Sequence, residues 1–174
     1  MARMVKKTMN ESFSGHDIPA LVNRLADALQ QQGRMMATAE SCTGGLIAGA
    51  CTDLSGSSNW FERGFVTYSN EAKTELLGVD AALIAAHGAV SEEVARAMAE
   101  GAVARSRAQV AVAVTGVAGP TGGSRDKPVG TVWFGWSVGG HVRTERRRFD
   151  GDRAAVRAAT VQYALQTLID LVKA

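Results

Sequence analysis

Cysteine is scarce in this sequence: of 174 residues, only Cys42 and Cys51. Two thiols without CxxC spacing supply neither a structural zinc site nor the disulfide framework of a small secreted domain. Cys51 reads instead as a small buried hydrophobe. No stretch approaches the ~20 apolar residues of a membrane span. The opening "MARMVKKTMNESFSGH" has lysines but no apolar run behind them, so it does not read as a signal peptide. Neither sign of charge dominates: 19 Lys and Arg against 17 Asp and Glu leave +2, too little to argue for nucleic acid or an anionic membrane. A cytoplasmic protein, with neither as partner, is expected. Histidine is limited to His16, His87 and His141, which fall in an expected tail, a loop and an edge strand. This argues against a Ser-His-Asp triad, although sequence distance does not exclude one. HExxH, GxSxG, Walker A and GxGxxG patterns are absent as well. Glu40, Asp53 and Asp126 form no recognisable ligand set, so no metal and no cofactor are expected.

The residues present pattern as alternating helices and strands. After a mobile tail expected over residues 1–16, "DIPALVNRLADALQQQG" spaces Ile18, Leu21, Val22, Leu25 and Leu29 as a helix, with Gly33 as its stop. "RMMATA" is a short strand, "TGGLIAGACTDL" a helix of small residues, "FERGFVTYS" a strand and "NEAKTELLG" a short helix. "SEEVARAMAEGAVARS" is a helix capped by Ser91, with Glu92 and Glu93 complementing its dipole. "QVAVAVTG" is apolar on both faces, as a central strand covered by helices requires. "VGTVWFGWSVG" and "HVRTERRRF" form a hairpin turning at Gly139-Gly140, and "DRAAVRAATVQYALQTLIDLVKA" closes the chain as a helix. One domain over residues 17–174 suffices, an α/β/α sandwich on a mixed sheet.

Two glycine-rich loops each follow a strand. Serine before a helix is either its N-cap or a nucleophile, and Ser41 in "ESCTGG" carries both readings. The second loop, "TGVAGPTGGSRDKPVG" over residues 115–130, either shapes a long surface turn or brings backbone N–H groups to an anion. Arg125 and Lys127 would suit a phosphate there. A reactive serine needs a base, and Lys73 in "TYSNEAK" is the better candidate, with Tyr68 to orient it or relay a proton. The alternative is a solvated helix lysine and a core tyrosine. "HVRTERRRF" could be taken for a nucleic-acid patch, but as a strand it divides its arginines between two faces, as a protected edge does.

Taken in order, "TAESCTGG", "GSSNWFERGFVTYSNEAK", "HGAVSEEVA", "VTGVAGPTGGSRDKPVGTVWF" and "GDRAAVR" resemble the CinA C-terminal domain family, whose members include nicotinamide-nucleotide amidases. The resemblance spans roughly Ile18 to Leu171. It implies a three-layer sandwich on a mixed, mostly parallel five-stranded sheet. It also implies hydrolysis of the carboxamide of nicotinamide mononucleotide to nicotinate mononucleotide and ammonia, by a stand-alone domain that assembles as a homodimer. Carried over motif by motif, Ser41 would be the nucleophile, activated by Tyr68 and Lys73. Thr43, Gly44 and Gly45 would be an oxyanion or phosphate cradle. Thr115 would face the cleft, and the loop carrying Gly116, Gly119, Gly122, Gly123, Arg125 and Lys127 would close over the nucleotide. The alternative is a nucleotide-binding module without catalysis, linked to competence or DNA-damage responses.

Overall fold

The computed structural model describes residues 18–174; the tail expected over 1–16, with His16, lies outside the described residues. The helix expected first is α1 (Ile18–Gln31) and the strand after it β1 (Met36–Glu40). Next come α2 (Leu46–Thr52), β2 (Phe61–Val66) and α3 (Asn70–Leu77). The next strand, β3 (Val110–Gly116), is reached through α4 (Ala81–His87) and α5 (Glu92–Ala104). The hairpin is β4 (Thr131–Val138) with β5 (His141–Arg148), and α6 (Arg153–Lys173) closes the chain. Sequence patterning finds all of these except α4. His87 therefore ends a helix rather than lying in a loop, and Asp80 caps that helix through Ala82 N–H.

The strand order is β2-β1-β3-β4-β5. β1 pairs in parallel with β2 and β3, whereas β4 runs antiparallel to both of its neighbours. Four strands thus point one way and one reverses. The two faces differ in side-chain size. Val110, Val112, Val114, Phe134 and Trp136 pack towards α1, α2 and α6. Ala37, Ala39, Ala111 and Ala113 pack towards α3, α4 and α5. The small side chains let α5 lie close to the sheet: a Cβ on Gly135 would stand 2.5 Å from the carbonyl oxygen of Ala95. The buried Trp136 indole satisfies its N–H on the Ala164 carbonyl of α6, 3.1 Å away. Among the described residues no helix is long and apolar enough to cross a membrane.

This topology places a crevice. The carboxyl ends of β2, β1 and β3 lie side by side, with Glu40 opposite Val66 and Val114. Past those ends Ser41 N–H still donates to Val114 O, and Thr67 N–H to Glu40 O. The chain then leaves β1 towards α2 on one face and β2 towards α3 on the other. Crevices where neighbouring connections part in this way are where open α/β sheets bind ligands.

Candidate active site

Strand alternation turns Glu40 towards the α2 face of the sheet. Its buried carboxylate caps α2: Oε1 accepts from Thr43 Oγ1 at 2.6 Å and Ile47 N–H at 2.8 Å, and Oε2 accepts from Ala48 N–H at 3.0 Å. The formal cap position is Gly45, in the left-handed region at φ 103°, with no side-chain bond of its own. Ser41 is therefore not the cap, because a carboxylate on the preceding residue already serves the helix start. Arg157 of α6 holds the same turn from its other side, donating to the carbonyls of Cys42 and Thr43 at 3.2 Å each.

Freed from capping, Ser41 meets Lys73: Oγ and Nζ are 3.0 Å apart. Lys73 projects from the first turn of α3, which starts beneath the ends of β1 and β2. Only 1% of it is exposed. Its Nζ also donates to Thr67 O at 2.9 Å, and to Tyr68 O and Ser69 O at 3.4 Å each. Burial holds this amine below the ordinary lysine range, with Cys42 pulling less strongly in the opposite direction. Once deprotonated, an amine that donates to these carbonyls keeps a lone pair for the serine hydroxyl, which is the geometry of a nucleophile beside its base. The Cys42 thiol beside the serine is pushed up to about 12 by burial, so it remains an inert thiol near neutral pH.

A cavity of about 350 Å³ opens over this pair, within the usual range for small-molecule sites. Its walls include Ser41, Lys73, Tyr68, Thr115, Gly116, Gly119, Gly122 and Gly123. The structure thus brings together residues from both glycine loops and from the α3 start. Thr43, Gly44, Gly45, Arg125 and Lys127 do not line it. Thr43 is turned to Glu40, and Gly44 N–H is spent on Ser41 O. The ammonium of Lys127 donates to His87 O at 2.7 Å, tying the loop to the end of α4. Tyr68 is at the rim, 62% exposed. Its carbonyl serves Lys73, whereas its hydroxyl accepts from Arg153 at 3.1 Å. Thr115 Oγ1 donates to Ala89 O at 2.9 Å.

Sequence reasoning did not single out Glu40, Cys42, Asn70, Thr121, Arg153 or Arg157 as site residues. Of these, Cys42, Asn70, Thr121 and Arg153 line the cavity. A signal existed for two of them: in "GDRAAVR" the arginines stand at i and i+4, one face of a helix. One reaches the cavity rim and the other the serine turn.

The CinA C-terminal domain model matches residues 19–172. The chain belongs to the CinA C-terminal domain family. Among its relatives, "Nicotinamide-nucleotide amidohydrolase PncC" of Pseudomonas putida is 56% identical over 154 residues, 88% of this chain and 96% of that protein. The protein of the same name in Escherichia coli K12 is 53% identical over 153 residues, covering 87% and 93% of the two chains. The crystal structure of the competence/damage inducible protein CihA from Agrobacterium tumefaciens superposes with a TM-score of 0.86 at 50% identity, over 89% of this chain and 95% of that one. The CinA fold is thus shared along nearly the whole described chain.

Proposed function

We propose that this CinA-family chain, as a single domain over residues 17–174, hydrolyses the carboxamide of nicotinamide mononucleotide to nicotinate mononucleotide and ammonia. The observation that carries the chemistry is the buried Ser41–Lys73 pair, 3.0 Å apart, in the wall of a cavity. The names of the relatives supply the substrate.

In the first step Ser41 gives its proton to Lys73 Nζ while Oγ attacks the carboxamide carbon. The resulting ammonium then protonates the departing nitrogen, which leaves as ammonia, and an ester to Ser41 remains. Water attacks this ester, returns a proton through Lys73 to Oγ, and releases the carboxylate. Splitting the reaction suits an amide, a poor electrophile. The quaternary ring nitrogen of the substrate helps by withdrawing electrons from the carboxamide. Cys42 lines the cavity, and among the described residues its main-chain N–H donates to no other residue. It is the candidate donor to the oxyanion, where losing one donor typically costs ~10²–10³ in turnover. Tyr68 contributes through its carbonyl, which helps hold the amine, rather than by a hydroxyl-to-serine contact.

Ammonia release measured on nicotinamide, its riboside and its mononucleotide tests the reading. Turnover of the mononucleotide, with free nicotinamide a poor substrate, is expected, because remote binding energy positions the reacting group. Saturable mononucleotide binding without ammonia would replace the enzyme with a binding module.

A further inference from the structure

Resting on that reading, we propose that the phosphate of the nucleotide is held by Arg153 together with the main-chain N–H groups of Gly122 and Gly123, and not by the serine loop or by Arg125 and Lys127. Four observations lead there.

First, the start of α2 is closed to an anion. Glu40 already occupies its N–H groups, so a phosphate placed there would face a buried carboxylate. Second, among the described residues no carboxylate lines the cavity, and the two basic side chains there are Lys73, the base buried at the floor, and Arg153. Third, among the described residues the Arg153 guanidinium meets only neutral acceptors: Gly119 O at 3.0 Å and the Tyr68 hydroxyl at 3.1 Å. Among the described residues it makes no ion pair. A guanidinium fork with unused charge on a cavity wall suits bidentate recognition of phosphate. Fourth, Gly122 and Gly123 follow one another at φ 80° and 83°. Their N–H groups have no partner within the described chain, although the loop is fixed on both sides by Val117 N–H to Thr131 O and Ser124 N–H to Lys127 O. Successive free N–H groups of this kind are what an oxyanion of phosphate takes up.

The spacing is also right in kind. Tyr68 reaches Lys73 with its carbonyl and Arg153 with its hydroxyl, so dyad and guanidinium stand about a tyrosine side chain apart. In the mononucleotide a ring and a sugar separate carboxamide from phosphate. Arg153 is thereby the residue that distinguishes mononucleotide from riboside.

The test is direct binding of ribose 5-phosphate by calorimetry, with ammonia release from mononucleotide and riboside measured on the same preparations. Wild type should bind ribose 5-phosphate. Arg153→Gln should weaken that binding at least about tenfold, the order of one charge-assisted contact, and Arg153→Lys should recover part of it. Arg125→Ala should bind as wild type does. Arg153→Gln should also raise KM for the mononucleotide at least tenfold, leaving riboside turnover within about threefold. Equal binding by wild type and Arg153→Gln, or equal losses on both substrates, would overturn the assignment. If ribose 5-phosphate binds through Arg153 but no ammonia is released, the amidase reading fails and the phosphate site stands.

Discussion

Glu40→Gln removes one charge and changes almost nothing in shape, which makes it the sharpest probe of how the serine turn is held. The carboxylate accepts three hydrogen bonds, two on Oε1 and one on Oε2. The amide keeps the first two by placing its oxygen at the Oε1 position. Its NH₂ then faces the N–H of Ala48, donor against donor, and flipping the amide would sacrifice two bonds to restore one. A buried donor left unsatisfied costs about 1–3 kcal/mol, and a charged acceptor is worth more than a neutral one. Loss of the negative charge at the helix start removes about 0.3–1 kcal/mol more. Relief of carboxylate desolvation offsets part of this, leaving a net destabilisation of about 2–3 kcal/mol. In a protein of this size that lowers Tm by roughly 4–12 °C, read by calorimetry. Ammonia release at a temperature where the variant is still folded should fall as well, chiefly in kcat, because the serine turn is released while the glycine loop is untouched. A variant as stable and as active as wild type would refute the view that the Glu40 charge organises this turn.

Lys73→Met should lower kcat by about 10²–10⁴, the usual worth of a positioned base, with near-native circular dichroism; a few-fold loss would return Lys73 to a structural role. In wild type, kcat/KM should rise with pH along one ionisation, because the ammonium form has no lone pair and deprotonation creates the base. Burial sets the midpoint below that of an ordinary lysine, about 10.4. A flat profile, or a midpoint at the ordinary value, would contradict the assignment. Gly101→Ala should destabilise by about 1–3 kcal/mol in chemical denaturation despite alanine's better helix propensity. Its Cβ would stand 2.1 Å from Leu77 O, a backbone atom that cannot turn aside. Stabilisation would show that α3 and α5 are less tightly locked.

Hydrophobic period made most of this fold legible, because the strands and long helices bury stripes that a 2.0 or 3.6 repeat reveals. The helix α4 escaped because seven residues with one buried side chain, Ile84, carry almost no periodic signal; such a helix depends on its cap and neighbours. At the site, Ser41 stood out as a polar residue between strand and glycines, but its freedom from capping did not. That depends on Glu40 reaching forward to Ile47 and Ala48, a contact that neither position announces alone. Lys73 illustrates the same limit. Its spacing on α3 fits a solvated lysine, and only the placement of the α3 start under the ends of β1 and β2 buries it. Arg125 and Lys127 were legible as cations near glycines, yet one ammonium is spent on His87 O. The cation that lines the cavity comes from α6, 85 residues beyond the Tyr68 hydroxyl it meets.

In the proposed mechanism Ser41 Oγ is the atom that attacks the carboxamide. Ser41→Ala removes only Oγ, which is 3.0 Å from Lys73 Nζ, and leaves Glu40, Arg157 and the glycine loop in place. Ammonia release from nicotinamide mononucleotide, measured on this variant beside wild type with ligand binding as a fold check, addresses it most directly. Retained binding with turnover reduced to background is expected; near-wild-type turnover would rule out Ser41 as the nucleophile.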